Sequence, residues 1–219
     1  MTISVIIPVF NEQTILPTLL HQIKNWPIPE IIIVDGNSND QTQAIVKRAS
    51  SCRLLVVKKG RGHQMNEGAR VATSDILLFL HADSVFPSDG FSAISKALED
   101  TNLVGGAFRL KIDAHSLCLK LVVLMANLRS SLFGLPYGDQ GFFVRRNIFN
   151  TMNGYQDIPL MEDVEFIQRL KRKGKIILLT QTIMTSTRKW SLFISLRNII
   201  LLTLYCIGVS EEQLAKWYN

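Results

Sequence analysis

The stretch Leu77-Leu78-Phe79-Leu80-His81-Ala82-Asp83 is an apolar run that ends in a carboxylate. Such a run is typical of a strand that is buried on both faces, as in a parallel sheet. Ligands of open α/β sheets bind beyond the carboxyl ends of the strands, so the stretch predicts that Asp83 faces a ligand. An unpaired charge there is costly, and a metal ion or a cationic group would offset that cost. The alternative from this stretch alone is an aspartate that caps the turn at residues 84–90.

Outward from this stretch, strands and helices alternate. Apolar runs predict strands at 3–9, 30–34, 54–57 and 76–80, and helices between them at 13–24, 41–50 and 66–72. This alternation predicts βαβ units and a mostly parallel sheet. Polar clusters follow the four strands at residues 11–12, at Asp35, at residues 58–63 and at His81 with Asp83. We therefore expect these clusters to lie along one edge of one sheet.

The second half of the chain is less regular. Its pattern predicts strands at 104–112, 141–144 and 176–179, and helices at 116–132, 145–152 and 160–173. The tail from 190 to 207 is strongly apolar and predicts a further helix. The pattern contains no repeat or linker, so we expect a single domain over residues 1–219.

Composition narrows the classes of protein. The chain has 219 residues, 47% of them hydrophobic and 19% charged, which is typical of a globular domain with a sizeable core. The formal net charge of +6 suits a nucleotide phosphate, an anionic membrane surface or a nucleic acid. The three cysteines lack CxxC spacing, which predicts neither a zinc site nor a disulfide framework and favours a reducing, cytoplasmic compartment. The N-terminus has no basic stretch before its first strand, so we expect no signal peptide.

Three polar motifs have both a functional and a simpler structural interpretation. Asp35, after a buried strand, could accept a hydrogen bond from a base or hold ribose hydroxyls, or could belong to an ordinary Asx turn. The basic loop at residues 58–63 suits a diphosphate, or is a solvated surface loop. Glu162 and Asp163 begin a helix, where the helix dipole favours acids, and either could serve as a general base.

With these pieces in this order, the chain resembles the family 2 inverting glycosyltransferases with a GT-A fold, over nearly all its length up to about Trp190. Residues 3–12 look like that family's first strand and turn, and residues 32–42 like its nucleotide-reading VDDGSxDxT segment. Residues 66–69 match its N-x-G-x helix, and residues 78–83 occupy its DxD position. Residues 154–155 and 161–170 look like its ED segment. A bacterial subgroup called selenodomain-associated transferases is similar to this chain at residues 60–66, 81–83 and 137–141.

The resemblance implies a fold and a set of roles. It implies a Rossmann-like central sheet flanked by helices, with a nucleotide-sugar half (1–110), an acceptor half (111–189) and an apolar helical tail (190–219). Asp163 would be the catalytic base, with Glu162 beside it, and Asp83 would bind Mg²⁺ or Mn²⁺ on the donor diphosphate. Gly106, Asp139 and Gln140 would face the sugar or the acceptor. The residues expected to bind the nucleotide-sugar are Pro8, Glu12, Asp35, Arg61, Asn66, His81, Ala82 and Arg188.

Two departures from the family pattern concern metal binding. Gly36 follows Asp35 where the family has a second acid, and His81 replaces the first acid of DxD. A single carboxylate holds a divalent ion less firmly than two, and the nucleotide phosphates would supply the remaining ligands. The QxxRW segment of processive synthases is absent, which favours transfer of a single sugar.

The expected partners are a nucleotide-diphosphate sugar, with UDP favoured, and an acceptor of unknown identity, with no nucleic acid. The apolar tail and the helix at 116–132 predict a peripheral contact with the inner face of the cell membrane and suit a lipid or other apolar acceptor. The competing interpretation is that these helices pack on each other or in a homodimer.

Two other functions stay open from the sequence. A nucleotide-sugar-binding protein without catalysis would keep the fold, although the presence of Asp83 and Asp163 argues against it. A nucleotidyltransferase on a related fold would need a glycine-rich basic loop after the first strand. That position reads Phe10-Asn11-Glu12-Gln13 instead.

Overall fold

A central sheet of eight strands organises the chain, and helices cover both of its faces. The computed structural model describes residues 1–112, 117–134, 136, 138–185, 197, 200–205 and 208–218. The strands are β1 (Ile3–Val9), β2 (Glu30–Asp35), β3 (Arg53–Val56), β4 (Ile76–Phe79), β5 (Ser84–Val85), β6 (Leu103–Ile112), β7 (Phe142–Arg145) and β8 (Lys175–Thr185). Their order in the sheet is β3-β2-β1-β4-β7-β6-β8-β5.

The helices complete three layers. They are α1 (Leu16–Ile23), α2 (Thr42–Lys47), α3 (Arg61–Val71), α4 (Gly90–Ala97), α5 (Leu117–Phe133), α6 (Arg146–Thr151), α7 (Glu162–Lys171) and α8 (Glu211–Tyr218), with a 3-10 turn at Gly138–Gln140. Apolar residues of α1, α2 and α4 pack on one face of the sheet. Those of α3, α6 and α7 pack on the other face.

The central strands are mostly apolar because both faces of the sheet are covered. Alternate residues of β1 point to opposite layers, so that Val5 and Ile7 belong to one core and Ile6 to the other. In α3, Gly68 allows the helix to lie close to the sheet, since a Cβ there would come within 2.5 Å of Ile6 Cγ2. The close approach brings the N-terminus of α3 to the carboxyl edge of β1 and β2.

The predicted α/β architecture is confirmed, and the pairing of its strands is more mixed than expected. β3, β2, β1 and β4 are parallel, as predicted. β7 is antiparallel to both β4 and β6, while β8 is parallel to β6. Because this one sheet contains strands from both halves of the chain, both halves contribute residues to the core on each of its faces.

Several predicted boundaries were wrong. The strand predicted at 176–179 extends through Thr185, and neither α4 nor β5 was predicted. The basic segment at 58–63 is not a loop throughout, because α3 begins at Arg61. The predicted apolar helix at 190–207 lies largely outside the described residues, although residues 200–205 are helical.

The described C-terminal residues form a third apolar cluster with the start of α7. Leu201 and Leu214 are buried there against Met161 and Val164. None of the helices in the described part of the chain is long and apolar enough to cross a membrane.

Candidate active site at the carboxyl edge of the sheet

The ends of the parallel strands open into one cavity of about 440 Å³. Its walls come from the turn after β1, the start of α3, the residues after β4 and the loop before α7. This arrangement confirms that three of the four polar clusters meet at one edge. The lining residues are Pro8, Val9, Phe10, Glu12, Lys59, Gly60, Arg61, Gln64, His81, Ala82, Asp83 and Pro159.

Gln64 fixes the mouth of this cavity. Its buried side-chain amide donates from Nε2 to the carbonyl oxygens of Val9 (2.9 Å) and Val34 (2.8 Å). The two carbonyls belong to the ends of β1 and β2, so one side chain on α3 ties both strands to the helix. The sequence analysis did not single out Gln64, although it lies within the quoted subgroup stretch.

Asp35 stabilises its own loop instead of lining the cavity. Its carboxylate is fully buried and accepts hydrogen bonds from the backbone N–H of Ser38 (2.9 Å) and from Gln43 Nε2 (2.8 Å). The Ser38 hydroxyl donates to the other carboxylate oxygen. The Asx-turn interpretation therefore describes the geometry of Asp35, and the turn it holds forms the edge of the sheet beside the cavity.

Arg61 connects the cavity to a second group of charged residues. Its Nε lies 3.5 Å from Glu162 Oε1, and its guanidinium also contacts the ring Nε2 of His81. Burial alone would lower the pKa of Arg61, but the carboxylates of Glu162, Asp163 and Asp139 outweigh it and raise that pKa. Arg61 therefore stays cationic between the strand-end cavity and the acids of α7.

The two acids at the start of α7 have different surroundings. Glu162 is buried, which raises the pKa of its carboxyl; Arg61 opposes this effect and Asp163 adds to it. Asp163 Oδ2 accepts a hydrogen bond of 2.9 Å from the backbone N–H of Gly138. Met161, directly before them, has a left-handed backbone with φ of 65°. The acids thus begin a helix whose first residue is reached through an unusual backbone conformation.

Asp139 joins the same group from the 3-10 turn. Burial raises the pKa of its carboxyl to about 6, with Arg61 and Arg129 opposing and Asp163 adding to the effect. Within the described part of the chain its Oδ1 is buried without a hydrogen-bond partner. Burial likewise raises the pKa of the Tyr155 hydroxyl well above its ordinary value. The group therefore combines one arginine with three carboxyls and a phenol.

Asn66 and Arg169 hold the backbone behind these acids. Asn66 Nδ2 donates to the Tyr155 carbonyl and its Oδ1 accepts from the Tyr155 N–H, both at 2.8 Å. Arg169 donates to the carbonyls of Met152 and Gly154, again at 2.8 Å. Asn66 is thus a structural clamp between α3 and the loop before α7. It was predicted to bind the nucleotide-sugar, but it is not among the residues that line the cavity.

The structure brings most of the predicted site residues together. Six of them line the cavity: Pro8, Glu12, Arg61, His81, Ala82 and Asp83. Asp139, Glu162 and Asp163 form the adjoining acidic group.

Gln140 does not face this acidic group, because its buried amide accepts from Ser130 Oγ (2.8 Å) and donates to the Phe108 carbonyl (3.1 Å). Gly106 is wrongly placed in the prediction too: it lies inside the sheet between Phe143 and Ile177, where a side chain would overlap both neighbours. Arg188 lies outside the described residues.

The donor set for a divalent cation in this cavity is small. Among the described residues no group of three or more His, Cys, Asp and Glu side chains is placed to hold a metal. Asp83 does offer a carboxylate on the cavity wall, and Mg²⁺ characteristically binds through one or two carboxylates together with substrate phosphates. The residues therefore fit a cation that arrives with a phosphorylated ligand.

A strand-edge cavity in a mixed α/β sheet, with an arginine joining it to paired acids on a helix, is the arrangement that the resemblance to the GT-A glycosyltransferases implies. The family model described as "Glycosyl transferase family 2" matches residues 4–120, which is more than half of the chain. The chain belongs to glycosyl transferase family 2.

Curated relatives have longer sequences than this chain. The probable glycosyltransferase YdaM of Bacillus subtilis (strain 168) is 25% identical over 201 residues, which cover 78% of this chain and 47% of YdaM. An undecaprenyl-phosphate 4-deoxy-4-formamido-L-arabinose transferase of Pectobacterium atrosepticum is 27% identical over 168 residues, covering 68% of this chain and 50% of that protein. The chain spans about half the length of these two relatives.

Solved structures share the fold at low sequence identity. The mannosyltransferase PcManGT of Pyrobaculum calidifontis, in complex with GDP-Man and Mn²⁺, has a TM-score of 0.74 at 18% identity, covering 95% of this chain and 64% of that one. S. aureus TarS 1-349, in complex with UDP-GlcNAc, has a TM-score of 0.67 at 15% identity, covering 98% and 69%. These likenesses confirm the GT-A fold.

Proposed function

We propose that this protein is an inverting glycosyltransferase that moves one sugar from a nucleotide-diphosphate sugar to an acceptor hydroxyl. One observation carries the proposal: Arg61 lines the strand-end cavity and also pairs with Glu162, next to Asp163. A donor in the cavity would therefore have its reacting end beside a carboxylate. Inverting transfer needs this juxtaposition, because the base and the departing diphosphate lie on opposite sides of the reacting carbon.

Each charged residue has a role in this chemistry. Asp163 takes the proton of the acceptor hydroxyl, held in place by the Gly138 N–H. Arg61 stabilises the negative charge that develops on the diphosphate, since its guanidinium is kept cationic by the surrounding acids. Glu162 orients Arg61 through their ion pair. Asp35 acts on the base of the nucleotide indirectly, by fixing the turn at residues 36–38.

Asp83 would hold the divalent cation, Mg²⁺ or Mn²⁺, that such a donor brings. When bound, the cation would neutralise charge on the diphosphate. The solved neighbour with GDP-Man contains Mn²⁺. We favour UDP as the nucleotide because residues 32–42 resemble the nucleotide-reading segment of the family. We also propose that the chain belongs to the selenodomain-associated transferases, because residues 60–66, 81–83 and 137–141 resemble that subgroup.

An apolar acceptor at a membrane surface suits the exposed face of α5. Leu121, Leu124, Met125 and Leu128 are 46–61% exposed at the spacing of a single helical stripe. The chain carries a net charge of +6, which attracts anionic lipid. A curated relative is named for undecaprenyl phosphate, which is a lipid phosphate. We therefore place the protein peripherally at the inner face of the cell membrane.

The test of catalysis is the Asp163→Asn variant. Loss of the base should lower kcat by about 10²–10⁴-fold while donor binding stays nearly unchanged, because the base acts on the acceptor. Nucleotide-sugars are first screened by thermal shift with Mn²⁺, and the hits are assayed for hydrolysis and transfer. The exposed Asp157→Asn, in the loop before α7, is the matched control.

The same assay separates the proposal from the non-catalytic alternative. A wild-type protein that binds a nucleotide-sugar but neither hydrolyses nor transfers it would be a binding protein. An Asp163→Asn variant that retains more than about a tenth of wild-type kcat would remove Asp163 as the base.

A further inference from the structure

The third apolar cluster joins the C-terminal residues to the segment that carries the acids. Leu214 is fully buried and Leu201 is 3% exposed, against Met161 and Val164. Met161 and Val164 lie on either side of Glu162 and Asp163 in the chain. The packing of Leu201 and Leu214 therefore reaches both ends of the acidic pair.

Met161 has a backbone conformation that its side chain does not favour. Its φ of 65° lies in the left-handed region, which costs a non-glycine residue free energy and persists only where the surroundings enforce it. No side-chain cap stabilises the start of α7, and Met161 is its N-cap residue. The carbonyl of Met161 accepts the first helical hydrogen bond, from the Glu165 N–H at 3.0 Å. The conformation of Met161 therefore sets the direction in which Glu162 and Asp163 leave the loop.

The C-terminal residues have the internal order needed to support it. The Gly208 N–H donates to the Tyr205 carbonyl and the Val209 N–H donates to the Leu204 carbonyl, both at 3.0 Å. The Leu214 N–H donates to the Ser210 carbonyl at 3.0 Å, which begins α8. Leu201 and Leu214 thus belong to two helical segments, residues 200–205 and α8, and both enter the same cluster.

We propose that residues 200–205 and 208–218 are a buttress that holds Met161 in its left-handed conformation and so positions Glu162 and Asp163 against Arg61 and Gly138. Leu201 and Leu214 are positioning residues in this scheme, since they pack in the third apolar cluster and are not among the residues that line the cavity. The consequence for kcat depends on the proposed transferase function. The consequence for backbone order at the start of α7 does not.

The test compares Leu214→Ala with Leu98→Ala. Leu98 is also fully buried, but it belongs to the core on the α1 and α4 face of the sheet. Both variants create a cavity and lower Tm, so thermal stability alone does not distinguish them. Leu214→Met, which conserves volume, is the rescue variant.

The first readout is amide hydrogen exchange over residues 159–166. In Leu214→Ala we expect at least tenfold faster exchange at Val164 and Glu165, whose amides donate to Asp163 Oδ1 and to the Met161 carbonyl. Leu98→Ala and Leu214→Met should keep wild-type rates there. Equal exchange in Leu214→Ala and Leu98→Ala would overturn the buttress, whatever the activity of the protein.

The second readout is the split between kcat and donor binding. We expect Leu214→Ala to lower kcat at least tenfold while the Kd for the nucleotide-sugar changes less than twofold, with Leu214→Met near wild type. If Leu214→Ala does not fold, Leu201→Ala replaces it with the same expectations. An inactive wild type with the expected exchange pattern would overturn the transferase proposal and leave the buttress standing. A parallel loss of kcat in both alanine variants would reduce the buttress to general stability.

Discussion

Asp139 shows how burial at one residue sets a pH dependence for the whole protein. Burial raises the pKa of its carboxyl from 3.8 to about 6. The folded state therefore binds this proton more tightly than the unfolded state, and stability is lost as the pH rises from about 4 to about 6. Above that window, the buried charge destabilises the folded state.

Asp139→Asn should therefore stabilise the protein at pH 7.5. A rise from 3.8 to about 6, at roughly 1.36 kcal/mol per pKa unit, sets an upper limit of about 3 kcal/mol for the gain in unfolding free energy. The gain should shrink between pH 6 and pH 4, as measured by urea unfolding of variant and wild type in parallel. A gain that is the same at both pH values, or that also appears in the exposed Asp157→Asn, would contradict this explanation.

Asp83 is the residue on which metal dependence rests. With UDP present, Mn²⁺ should raise the Tm of wild type, because a ligand that binds only the folded state stabilises it. Asp83→Asn should abolish that Mn²⁺-dependent increment and leave the Tm without metal nearly unchanged, since the side chain is only partly buried. Transfer activity that survives EDTA undiminished would contradict metal dependence and move the charge-stabilising role to Arg61 and Arg188.

At the scale of elements, Gln64 is the link between α3 and the strands that form the cavity. Gln64→Met removes its hydrogen bonds to the Val9 and Val34 carbonyls with little change in volume. We expect a loss of about 1–3 kcal/mol in unfolding free energy, because two side-chain hydrogen bonds to backbone carbonyls at the strand ends are removed. The affinity for the nucleotide-sugar should fall as well, since the ends of β1 and β2 are no longer held to α3 by these hydrogen bonds.

Gln22→Met on α1 is the matched control for that variant. Gln22 is partly buried and makes one long contact, 3.5 Å, to the Ser84 carbonyl. Urea unfolding and nucleotide titration of both variants check the prediction. If Gln64→Met binds UDP as tightly as Gln22→Met, the link between strand ends and donor binding is wrong.

Local patterns predicted the parallel half of the sheet because β1, β2 and β4 are buried on both faces. The cavity residues follow from that pattern, since Glu12, His81 and Asp83 come directly after apolar runs. Partners distant in sequence decided what the pattern missed. β8 continues through Thr185 because residues 182–185 pair with β6, although its polar Thr180 and Gln181 interrupt the apolar run. The start of α3 at Arg61 was missed because Gly60 and Gly62 are typical of a loop.

The site residues divide along the same line. A side chain that follows a strand is placed by the strand, so Asp83 could be located from the sequence. Asp35 follows a strand too, but the hydroxyl of Ser38 and the amide of Gln43 capture its carboxylate. Asn66 and Gln140 satisfy backbone groups of Tyr155 and Phe108, which lie 89 and 32 residues away in the chain. Such pairings are tertiary, and no local pattern contains them.

At the scale of the whole molecule, an apolar face and a cationic chain together predict binding to anionic membranes. The stripe on α5 exposes Leu121 by 59% and Leu124 by 61%, and no acidic residue occurs between Asp113 and Asp139. Apolar burial and electrostatic attraction add at such a surface, and the electrostatic part is screened by salt. The competing interpretation is a homodimer that covers the same stripe.

Flotation with anionic liposomes distinguishes the two. We expect the wild type to float at low salt and less at high salt, and Leu124→Glu to remain at the bottom while keeping its Tm, because the side chain is already exposed. Val56→Glu on the edge strand β3, where Val56 is 43% exposed, is the matched control and should float like wild type. Light scattering on the same samples gives the oligomeric state. A wild type that stays at the bottom at both salt concentrations would refute the membrane contact, and a dimer that Leu124→Glu converts to monomers would assign the stripe to a protein interface.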